Sequence, residues 1–474
     1  MSLRGIIALP LILCLAAINL PAPPEKGSPR HTPIVRVVQK TEHAVAALFS
    51  QQGNVLNMGS GSLIHSDGYV LTNDHVIGGN PGVVLFKDQD PINYSIVGRI
   101  PEKDLCLLRA KPPKATKPLR LGRSNDLVTG EPILCAGNPG GRGIVYSSGI
   151  ISSPNFMLTA PNALAVHYLR HDVRDRFIQF DAASNQGNSG GALINALGEQ
   201  IGVVSNKSPG EENINFAIPI DRVRQNLVEL FSPEIRKGFE TGISMDPLAR
   251  KVKVIKVEES GPAAKAGIQV DDLILVINGK VLQGPIDWMA TLLDHKVGDE
   301  LKLILDGENG KREATLKLTP YREPETIELK NPQAGLRFKV CFGSFVKVPD
   351  MAEQKVAKEG IARALDIVAM AEPKTDDYAI SLKGFLKIPK EGTYRLIINS
   401  DDGGIVRIGD EIVLDNDGLH PAQDAGRLFR FSKGFVPIRI DYFEAQGDAA
   451  LSFDIEFAGE ERQSAAPLFF HDGD

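Results

Sequence analysis

The sequence predicts a multidomain, mainly β protein. With 474 residues, the chain is too long for one compact core and corresponds to about three domains at roughly 150 residues each. Short apolar runs of strand length, separated by Gly, Pro and Asn, recur in its first and last parts, and a mixed helix-and-strand segment lies between them. The composition, 42% hydrophobic and 24% charged, is that of ordinary globular domains. A net charge of −6 without a cluster of Lys and Arg argues against a nucleic-acid partner.

Residues 1–24 have the layout of a secretory signal peptide. One cation, Arg4, precedes an apolar run from Ile6 to Leu20, and prolines follow. The alternative is an uncleaved membrane anchor, because the run is only slightly shorter than the ~17–20 residues that a span needs. Pro10 and the proline cluster at 21–24 favour the signal peptide, so we expect an exported protein.

The cysteines do not suggest a disulfide framework. Cys14 would leave with the signal peptide, and Cys106, Cys135 and Cys341 lie in apolar runs typical of strands. We expect three buried thiols that pack as small apolar side chains, with a Cys106–Cys135 bridge as the alternative. The sequence has no CxxC or HExxH motif from which to argue a zinc site.

Residues 33–232 predict the first folded domain. Runs such as GSGSLIHSDGYVLTN, DLCLLRA and GEQIGVVSN are short, β-rich and separated by turn residues, which is typical of a barrel or a sandwich. The segment IPIDRVRQNLVELF places apolar residues at helical spacing. This helix closes the domain before Ser232 and Pro233.

Two further domains are predicted at residues 237–320 and 333–460. The first of these is a small α/β module with an Asn278-Gly279 hairpin signal. In the second, YRLIINSDDGGIVRIGDEIVLDNDG and GFVPIRIDYFEAQGDAALSFDIEFA alternate or cluster apolar residues around acidic turns, as the strands of a β-sandwich do. A polar connector with prolines, TPYREPETIELKNP, separates the two domains.

The motif GNSGG raises the question of a serine nucleophile at Ser189. A serine hydroxyl needs an adjacent base, usually a histidine oriented by a carboxylate. It also needs backbone N–H donors directed at the developing oxyanion, and glycines permit the necessary turn. On its own the motif also fits an ordinary glycine turn.

His75 and Asp104 occur where a base and its orienting carboxylate could stand. His75 ends the apolar run GYVLTNDHV, and Asp104 directly precedes the apolar run of DLCLLRA. Taken singly, a satisfied strand-end histidine and a capping aspartate are the alternatives. In the order His, Asp, Ser, the three residues predict a catalytic triad.

A family resemblance supports this prediction. The segments GSGSLIHSDGYVLTNDHV, DLCLLRA, GNPGG, FDAASNQGNSGGALIN and NINFAIPID resemble, in order, the signature motifs of the HtrA/Deg serine proteases over about residues 58–232. The resemblance implies a chymotrypsin-like double β-barrel that needs no cofactor, with His75 as general base, Asp104 orienting it and Ser189 as nucleophile. It implies an oxyanion hole at Gly187, Asn188 and Ser189, with the N–H groups of Gly187 and Ser189 as donors. A homotrimer in the periplasm or cell envelope is implied by the resemblance alone.

Two features depart from the family pattern. Asp74 precedes His75, where the family usually has a neutral residue, and a carboxylate pointing inward would stabilise the imidazolium. As a neighbour in a strand, Asp74 is expected to point away. The connection between Ile151 and Phe177 is longer than usual, at the region where the family controls access to its site.

The same resemblance places the strand GVVSNK and the segment NINFAIP along the primary specificity pocket, with Ile214 and Phe216 as its apolar walls. Apolar walls disfavour an unpaired charge. We therefore expect cleavage after small or medium aliphatic residues.

The segment FETGISM and the following VKVIKVEESGPAAKAGIQVDDLILVINGK resemble a PDZ domain of the kind attached to HtrA proteases. Such a domain adds an extended peptide as a strand and captures its terminal carboxylate on a backbone loop. The corresponding loop is Glu240, Thr241, Gly242 and Ile243. Glu240 departs from this role unless its carboxylate faces away, and a spacer domain without a ligand is the alternative.

The segment 333–460 resembles the protective-antigen-type (PA-fourteen) β-sandwich. In lectin members of that family, an adjacent Asp pair binds calcium, which then holds sugar hydroxyls. The corresponding pair is Asp401 and Asp402, with Asp415, Asn416 and Asp417 as further oxygen donors, and oxygen ligands suit calcium. Ordinary turn chemistry of Asp and Asn is the alternative.

Together these observations predict an exported serine endopeptidase of HtrA/Deg type. It would cleave unfolded or envelope proteins, engage peptide C-termini through its PDZ domain and be directed to a cell-envelope glycan by its last domain. The alternative is an envelope polysaccharide-binding or chaperone-like protein in which the protease fold is a scaffold. The complete triad argues against that alternative.

Overall fold

The structure is a computed structural model that describes residues 27–52, 55–78, 82–112, 116–157, 176–207, 213–457 and 461–473. The predicted signal peptide and most of the long connection between Ile151 and Phe177 lie outside these residues. Within the described ranges, no helix is long and apolar enough to cross a membrane.

The first domain begins with helix α1 (Pro33–Thr41) and contains two mainly antiparallel sheets. The strands of the first sheet are β1 (Val45–Gln52), β2 (Val55–His65), β3 (Tyr69–Thr72), β4 (Gly82–Phe86), β5 (Ile92–Asn93), β6 (Ser95–Ile100) and β7 (Leu105–Arg109). Their order is β5-β4-β1-β2-β3-β7-β6. Single 3-10 turns at Asp74–Val76 and Pro101–Lys103 follow β3 and β6.

The second sheet of this domain closes on itself. Its strands are β8 (Arg120–Leu121), β9 (Pro132–Gly137), β10 (Val145–Met157), β11 (Arg176–Phe180), β12 (Ala192–Asn195), β13 (Glu199–Lys207) and β14 (Asn215–Pro219). They run in the order β12-β9-β10-β11-β14-β13-β8, with β8 parallel to β13, and β12 also pairs with β13. A 3-10 turn, Pro139–Gly141, follows β9.

Helices α2 (Ile220–Phe231) and α3 (Pro233–Lys237) end the domain. The predicted apolar face of α2 is confirmed, because Ile220, Val223, Leu227 and Leu230 are all buried. Ser232 adopts a left-handed backbone conformation between the two helices.

The second domain is the predicted small α/β module. Its elements are β15 (Phe239–Glu240), β16 (Ile243–Met245), β17 (Val252–Val257), α4 (Pro262–Lys265), β18 (Leu273–Ile277), β19 (Lys280–Val281), α5 (Pro285–Leu292), β20 (Glu300–Gly307), β21 (Gly310–Lys317) and β22 (Thr319–Pro320). The sheet order is β16-β17-β18-β20-β21, with β19 on β18 and a separate β15–β22 pair. The Asn278-Gly279 turn joins β18 to β19 with positive φ at both residues, as the sequence predicts.

The first and second domains share one apolar core. A single cluster of buried residues joins Tyr69 and Leu230 of the first domain to Val254 and Trp288 of the second. At its edge, His65 Nε2 lies 2.7 Å from Asp287 Oδ1 of helix α5.

The third domain is the predicted β-sandwich. Its elements are β23 (Pro332–Ala334), β24 (Leu336–Phe342), β25 (Lys358–Ala362), α6 (Ile367–Ala371), β26 (Tyr378–Ile388), β27 (Gly392–Asp401), β28 (Gly404–Ile408), β29 (Glu411–Asn416), β30 (Gln423–Phe431), β31 (Gly434–Glu444), β32 (Ala450–Phe457), β33 (Gln463–Ser464) and β34 (Phe469–Asp472). One sheet has the order β23-β34-β26-β31-β28-β29, with β24 also paired to β26 and β25 paired to β24, and the other has the order β30-β27-β32-β33. Apolar side chains from both sheets, such as Leu382 and Leu396, form the core between them. The mainly β, three-domain fold class is confirmed.

The three cysteines in the described residues are buried and unbridged, as expected. Burial raises the pKa of the Cys135 thiol to about 12 and that of Cys106 well above its ordinary value. These thiols therefore stay protonated and pack as apolar side chains.

Candidate active site

The predicted triad residues come from three loops at the junction of the two sheets. His75 lies in the 3-10 turn after β3, and Asp104 ends the 3-10 turn after β6. Ser189 lies in the turn before β12, where its carbonyl oxygen accepts a hydrogen bond from the Ser60 N–H of β2 at 2.8 Å.

Asp104 is held on three sides. Its Oδ1 lies 2.7 Å from His75 Nδ1 and accepts the His75 backbone N–H at 3.1 Å. Its Oδ2 accepts the Ser205 hydroxyl at 2.9 Å, and the side-chain amide of Asn73 donates to its backbone carbonyl. An ionised carboxylate only accepts hydrogen bonds, so this arrangement fixes Nδ1 of His75 as the protonated nitrogen.

The His75 ring is reachable from solvent, whereas the carboxylate behind it is not. The side chain of His75 is 48% exposed and that of Asp104 is 5% exposed. A buried acceptor behind an open imidazole orients the ring with its Nε2 edge toward the site.

Glycines shape the turn that carries Ser189. Gly187 has φ +101°, and a Cβ there would lie 2.4 Å from the Asn138 carbonyl oxygen. Gly190 has φ +81°, and a Cβ there would lie 2.2 Å from the Ser60 carbonyl oxygen. No other residue type fits these two positions without moving the backbone.

The backbone N–H groups of the predicted oxyanion hole differ in their hydrogen bonding. The Asn188 N–H is used inside the turn, where it donates to the Asn185 carbonyl at 2.9 Å. For the N–H groups of Gly187 and Ser189, the described residues provide no acceptor. These two donors are therefore the ones that could face a substrate oxygen.

Sequence reasoning missed two serines of the site. Ser60, in β2 of the first sheet, contacts the turns beside the second sheet. Its hydroxyl donates to the Gly187 carbonyl at 2.6 Å and accepts the Asn138 N–H at 2.7 Å. Ser205 lies in β13 at an irregularity in the pairing with β14, donates to Asp104 and accepts the Ser189 hydroxyl on its carbonyl oxygen at 2.9 Å. A β-bulge commonly redirects a residue beside an active site, but its position depends on the paired strand.

The Asp74 carboxylate points away from His75, but the expected reason, a position next to His75 in a strand, was wrong. It lies in a 3-10 turn rather than in a strand. Its carboxylate is bound by the Arg99 guanidinium, with Nε at 2.5 Å from Oδ1 and Nη2 at 2.9 Å from Oδ2. The arginine of β6 therefore neutralises the unusual charge.

The predicted specificity residues lie at the start of β14. Phe216 is buried, and its ring centroid is 5.3 Å from that of Phe156 and 6.3 Å from that of Phe177. Ile214 is half-buried against the same cluster. Their role in a pocket stays a prediction.

The predicted peptide loop directly precedes an open sheet edge. Strand β16 pairs with β17 on one side and ends the described sheet on the other. Gly242 has φ +71°, and the Ile243 N–H donates to the Thr241 hydroxyl at 3.2 Å. Glu240 is turned toward β22, where it accepts the Thr319 hydroxyl at 3.2 Å, so it can stand beside the loop without entering it.

The predicted calcium pair is largely occupied by backbone donors. Asp402 is buried, and its two oxygen atoms accept the N–H groups of His420 and Ala445. One oxygen of Asp401 accepts the Ala422 N–H. The described residues contain no group of three or more His, Cys, Asp or Glu side chains arranged to hold a metal.

One buried atom beside this pair lacks a partner. Glu444 is 0% exposed, its Oε2 accepts the Tyr442 hydroxyl at 2.6 Å, and its Oε1 has no hydrogen-bond partner in the described structure. Burial raises the pKa of Glu444 to about 7; the Tyr442 hydrogen bond lowers it, and Asp402 and Asp401 raise it. Burial and the two neighbouring aspartates therefore disfavour a negative charge on Glu444 unless a cation or a proton compensates it.

The folds and the site define a protease-type domain followed by a small α/β domain and a β-sandwich domain. Three family models match the chain: a trypsin-like peptidase domain at residues 59–203, a PDZ domain at 240–318 and a PA14 domain at 333–462. These three domains therefore follow one another along the chain.

Similar proteins identify the type of protease more narrowly. A probable periplasmic serine endoprotease DegP-like of Ectopseudomonas mendocina is 31% identical over 324 residues, which cover 64% of this chain and 65% of the relative. Proteins with the same description from Pseudomonas putida and Brucella suis are 34% and 30% identical, over 56% and 55% of this chain and 56% and 52% of their own lengths. The predicted resemblance to Deg-type proteases is confirmed, and the chain spans less than two thirds of the length of these relatives.

Solved structures of two similar proteins each cover 61% of the chain. The serine endoprotease from Yersinia pestis is 28% identical, with a TM-score of 0.36, over 61% of this chain and 99% of its own. The HtrA-type protease AlgW with tripeptide is also 28% identical, with a TM-score of 0.37, over 61% of this chain and 98% of its own.

Proposed function

We propose that this protein is an exported, periplasmic serine endopeptidase that cleaves unfolded or envelope proteins. The observation that carries the proposal is the Asp104–His75 pair, joined at 2.7 Å and backed by Ser205, beside the Ser189 turn. The relatives named periplasmic serine endoprotease support both the reaction and the location. The PDZ domain supports peptide or protein substrates.

Acylation begins at Ser189. Its hydroxyl donates to the Ser205 carbonyl in the resting arrangement, so it turns toward His75 before it reacts. His75 then takes the proton on Nε2 while Oγ attacks the substrate carbonyl carbon. Asp104 stabilises the imidazolium through Nδ1, and the Gly187 and Ser189 N–H groups receive the oxyanion.

Collapse of the tetrahedral intermediate releases the amine, which takes its proton from His75. Water, activated by the same histidine, attacks the acyl-enzyme and regenerates the Ser189 hydroxyl. Removing one oxyanion donor would lower kcat by about 10²–10³.

Cleavage of casein as an unfolded substrate tests the proposal. We expect wild-type protein to cleave it and Ser189→Ala to be inactive, because the variant lacks the hydroxyl that attacks the substrate carbonyl carbon. Ser124→Ala, in the same domain but bonded to Asp221, is the matched control and should retain activity. Cleavage by purified Ser189→Ala would overturn the proposal.

We further propose that Asp401 and Glu444, two carboxylates of the acidic cluster that they form with Asp402 in the third domain, bind calcium. The orphaned Glu444 Oε1 is the observation that favours it, since a carboxylate oxygen buried among acidic neighbours suits a hard cation. Asp401 and Glu444 would supply ligands, while Asp402 is held by backbone donors. Bound calcium would neutralise the cluster, and the ion could then bind the hydroxyls of a cell-envelope glycan.

Calorimetric titration of full-length Ser189→Ala with calcium chloride tests this site. We expect binding that Glu444→Gln abolishes and that Glu411→Gln, an exposed change in the same domain, leaves intact. A survey of immobilised glycans with calcium or with a chelator then tests sugar binding. Absence of heat on titration would contradict the calcium site, and absence of glycan binding in both conditions would contradict the targeting role.

A further inference from the structure

A buried arginine of the third domain reaches into the first domain. Arg395, in β27, is 5% exposed; its Nη2 donates to Glu102 Oε1, and its Nη1 lies 2.6 Å from Glu229 Oε1. Glu229 belongs to helix α2 and Glu102 to the 3-10 turn Pro101–Lys103. The guanidinium therefore bridges two elements of the protease domain from outside it.

The turn that Arg395 contacts is the one that carries the predicted triad carboxylate. Asp104 ends this turn in a left-handed backbone conformation, φ +50°, and its N–H donates to the Pro101 carbonyl at 3.0 Å. Glu102 stands two residues before Asp104. A movement of Glu102 therefore displaces the backbone that sets the Asp104–His75 contact.

Glu102 depends on its cation. Its side chain is 9% exposed, and burial raises its pKa to about 7; Arg395 lowers that pKa, and Glu229 raises it again. A buried carboxylate without a partner either takes up a proton or turns out to water. Removing Arg395 would leave two carboxylates near each other, and the turn would have to rearrange.

A second contact of the same sheet supports this docking. Glu456 of β32 is the cross-strand neighbour of Arg395, and it is close enough to Arg99 of the first domain for the two charges to interact. Arg99 is the residue that binds Asp74 beside His75. The sheet formed by β30, β27, β32 and β33 thus contacts the Pro101–Lys103 turn through Arg395 and lies near Arg99, which binds Asp74.

We propose that Arg395 is a positioning residue for the reaction of the first domain: by holding Glu102, it fixes the turn that presents Asp104 to His75. This inference rests on the proposed function of Ser189. It assigns the third domain a part in peptide-bond cleavage besides any role in targeting.

Arg430 offers a matched control. It lies in β30 of the same sheet, with its Nε 2.9 Å from Glu323 Oε1 and its Nη2 2.6 Å from Glu391 Oε1. Its guanidinium packs against Gly238 at the end of helix α3. Arg430 therefore lies at the same domain contact but does not bond to the Pro101–Lys103 turn.

The experiment compares kcat and KM of full-length variants on a short chromogenic peptide. For Arg395→Met we expect kcat to fall about 10- to 100-fold, the loss that a displacement of about 1 Å can cause, with KM nearly unchanged. Arg430→Met should keep the wild-type kcat. The double variant Arg395→Met with Glu102→Gln should recover most of the lost kcat, because a neutral amide no longer requires the buried cation.

The kinetic results decide whether Arg395 is a positioning residue. Equal kcat for Arg395→Met and Arg430→Met would overturn the inference, and so would a loss that Glu102→Gln does not restore. If Arg395→Met fails to fold by circular dichroism, Arg395→Lys is measured instead, because a lysine keeps the charge but cannot bridge both carboxylates. We expect it to lower kcat, and an unchanged kcat would overturn the inference. A wild-type protein without Ser189-dependent cleavage would overturn the proposed function and this inference together.

Discussion

At the scale of single residues, the sequence predicts the role of a residue when a local motif marks that residue. His75, Asp104 and Ser189 each stand in a recognisable segment, and the structure brings two of them to 2.7 Å of each other with the third in the adjacent turn. Ser205 gives no such signal, because its role depends on an irregular pairing of β13 with β14. Arg395 and Glu102 are 293 residues apart in the chain, and only the docking of two domains joins them.

Ser205→Ala tests the support of Asp104. The variant removes the hydroxyl that donates to Asp104 Oδ2 at 2.9 Å and leaves a buried carboxylate short of one partner. A hydrogen bond to a charged group contributes about 1.5–3 kcal/mol, so kcat should fall about 10- to 100-fold. Steady-state kinetics beside Ser124→Ala checks this expectation, and equal kcat values for the two variants would contradict it.

Glu444→Gln tests the electrostatics of the acidic cluster. The pKa of Glu444 is raised from 4.5 to about 7, so its contribution to stability is complete below about pH 4.5 and is lost as pH rises through 7. This difference in pKa corresponds to about 3 kcal/mol of unfolding free energy at most. In the presence of a calcium chelator, wild-type protein should lose stability over this range and Glu444→Gln should lose less.

Thermal unfolding between pH 5 and pH 8 measures this effect. The relevant quantity is the difference between the melting temperatures of the two proteins at each pH. A pH dependence that is the same for wild-type and variant would show that Glu444 is not the titrating group.

At the scale of secondary-structure elements, the contact between helix α5 and strand β2 could not be predicted from the residues around either partner. His65 stands in a polar segment of the sequence, yet it is 5% exposed and its Nε2 faces Asp287. The Asp67 N–H donates to Nδ1 at 3.1 Å, so Nε2 carries the hydrogen that Asp287 accepts. By contrast, the apolar spacing of α2 and the Asn278-Gly279 turn are local patterns, and both are confirmed.

Asp287→Asn tests the junction of the first two domains. Burial acts to raise the pKa of Asp287, but the hydrogen bonds from His65 and the Gln283 N–H outweigh it and hold the pKa below 3.8. The stabilisation is therefore present above pH 3.8 and is lost as pH falls through the folded-state pKa. At pH 7 the variant should have a free energy of unfolding lower by about 1–3 kcal/mol.

Urea unfolding at pH 7 and near pH 3 provides the measurement. The difference between wild-type and Asp287→Asn should shrink at the lower pH. Asp294→Asn is the control, because that carboxylate is 64% exposed and lies 3.8 Å from Arg109. Equal destabilisation by both changes would contradict a specific role for the His65 contact.

At the scale of the whole molecule, the chain is a protease-type domain with two attached modules that also contact it. The first and second domains share an apolar core, and the third meets the first through buried charges around Arg395. Composition and motif order suffice to predict three domains and their fold classes. They do not predict how the domains meet, because long-range contacts leave no periodic pattern in the sequence.

A chain that ends at residue 322 tests the influence of the third domain. It lacks the Arg395 contact that holds Glu102 and the turn presenting Asp104, so we expect kcat on a short peptide to fall by about the same 10- to 100-fold factor as in Arg395→Met. KM should change little, because no predicted substrate-pocket residue is removed. A truncated chain as active as the full one would show that the third domain has no part in peptide-bond cleavage.

The central claim is that Ser189 is a nucleophile activated by His75 and Asp104. Its most direct test is covalent labelling by a fluorophosphonate, with the modified residue located by mass spectrometry of a proteolytic digest. We predict one label per chain on Ser189, slowed by His75→Ala and absent in Ser189→Ala. An unlabelled Ser189 in active protein, or a label that forms equally fast without His75, would contradict the account.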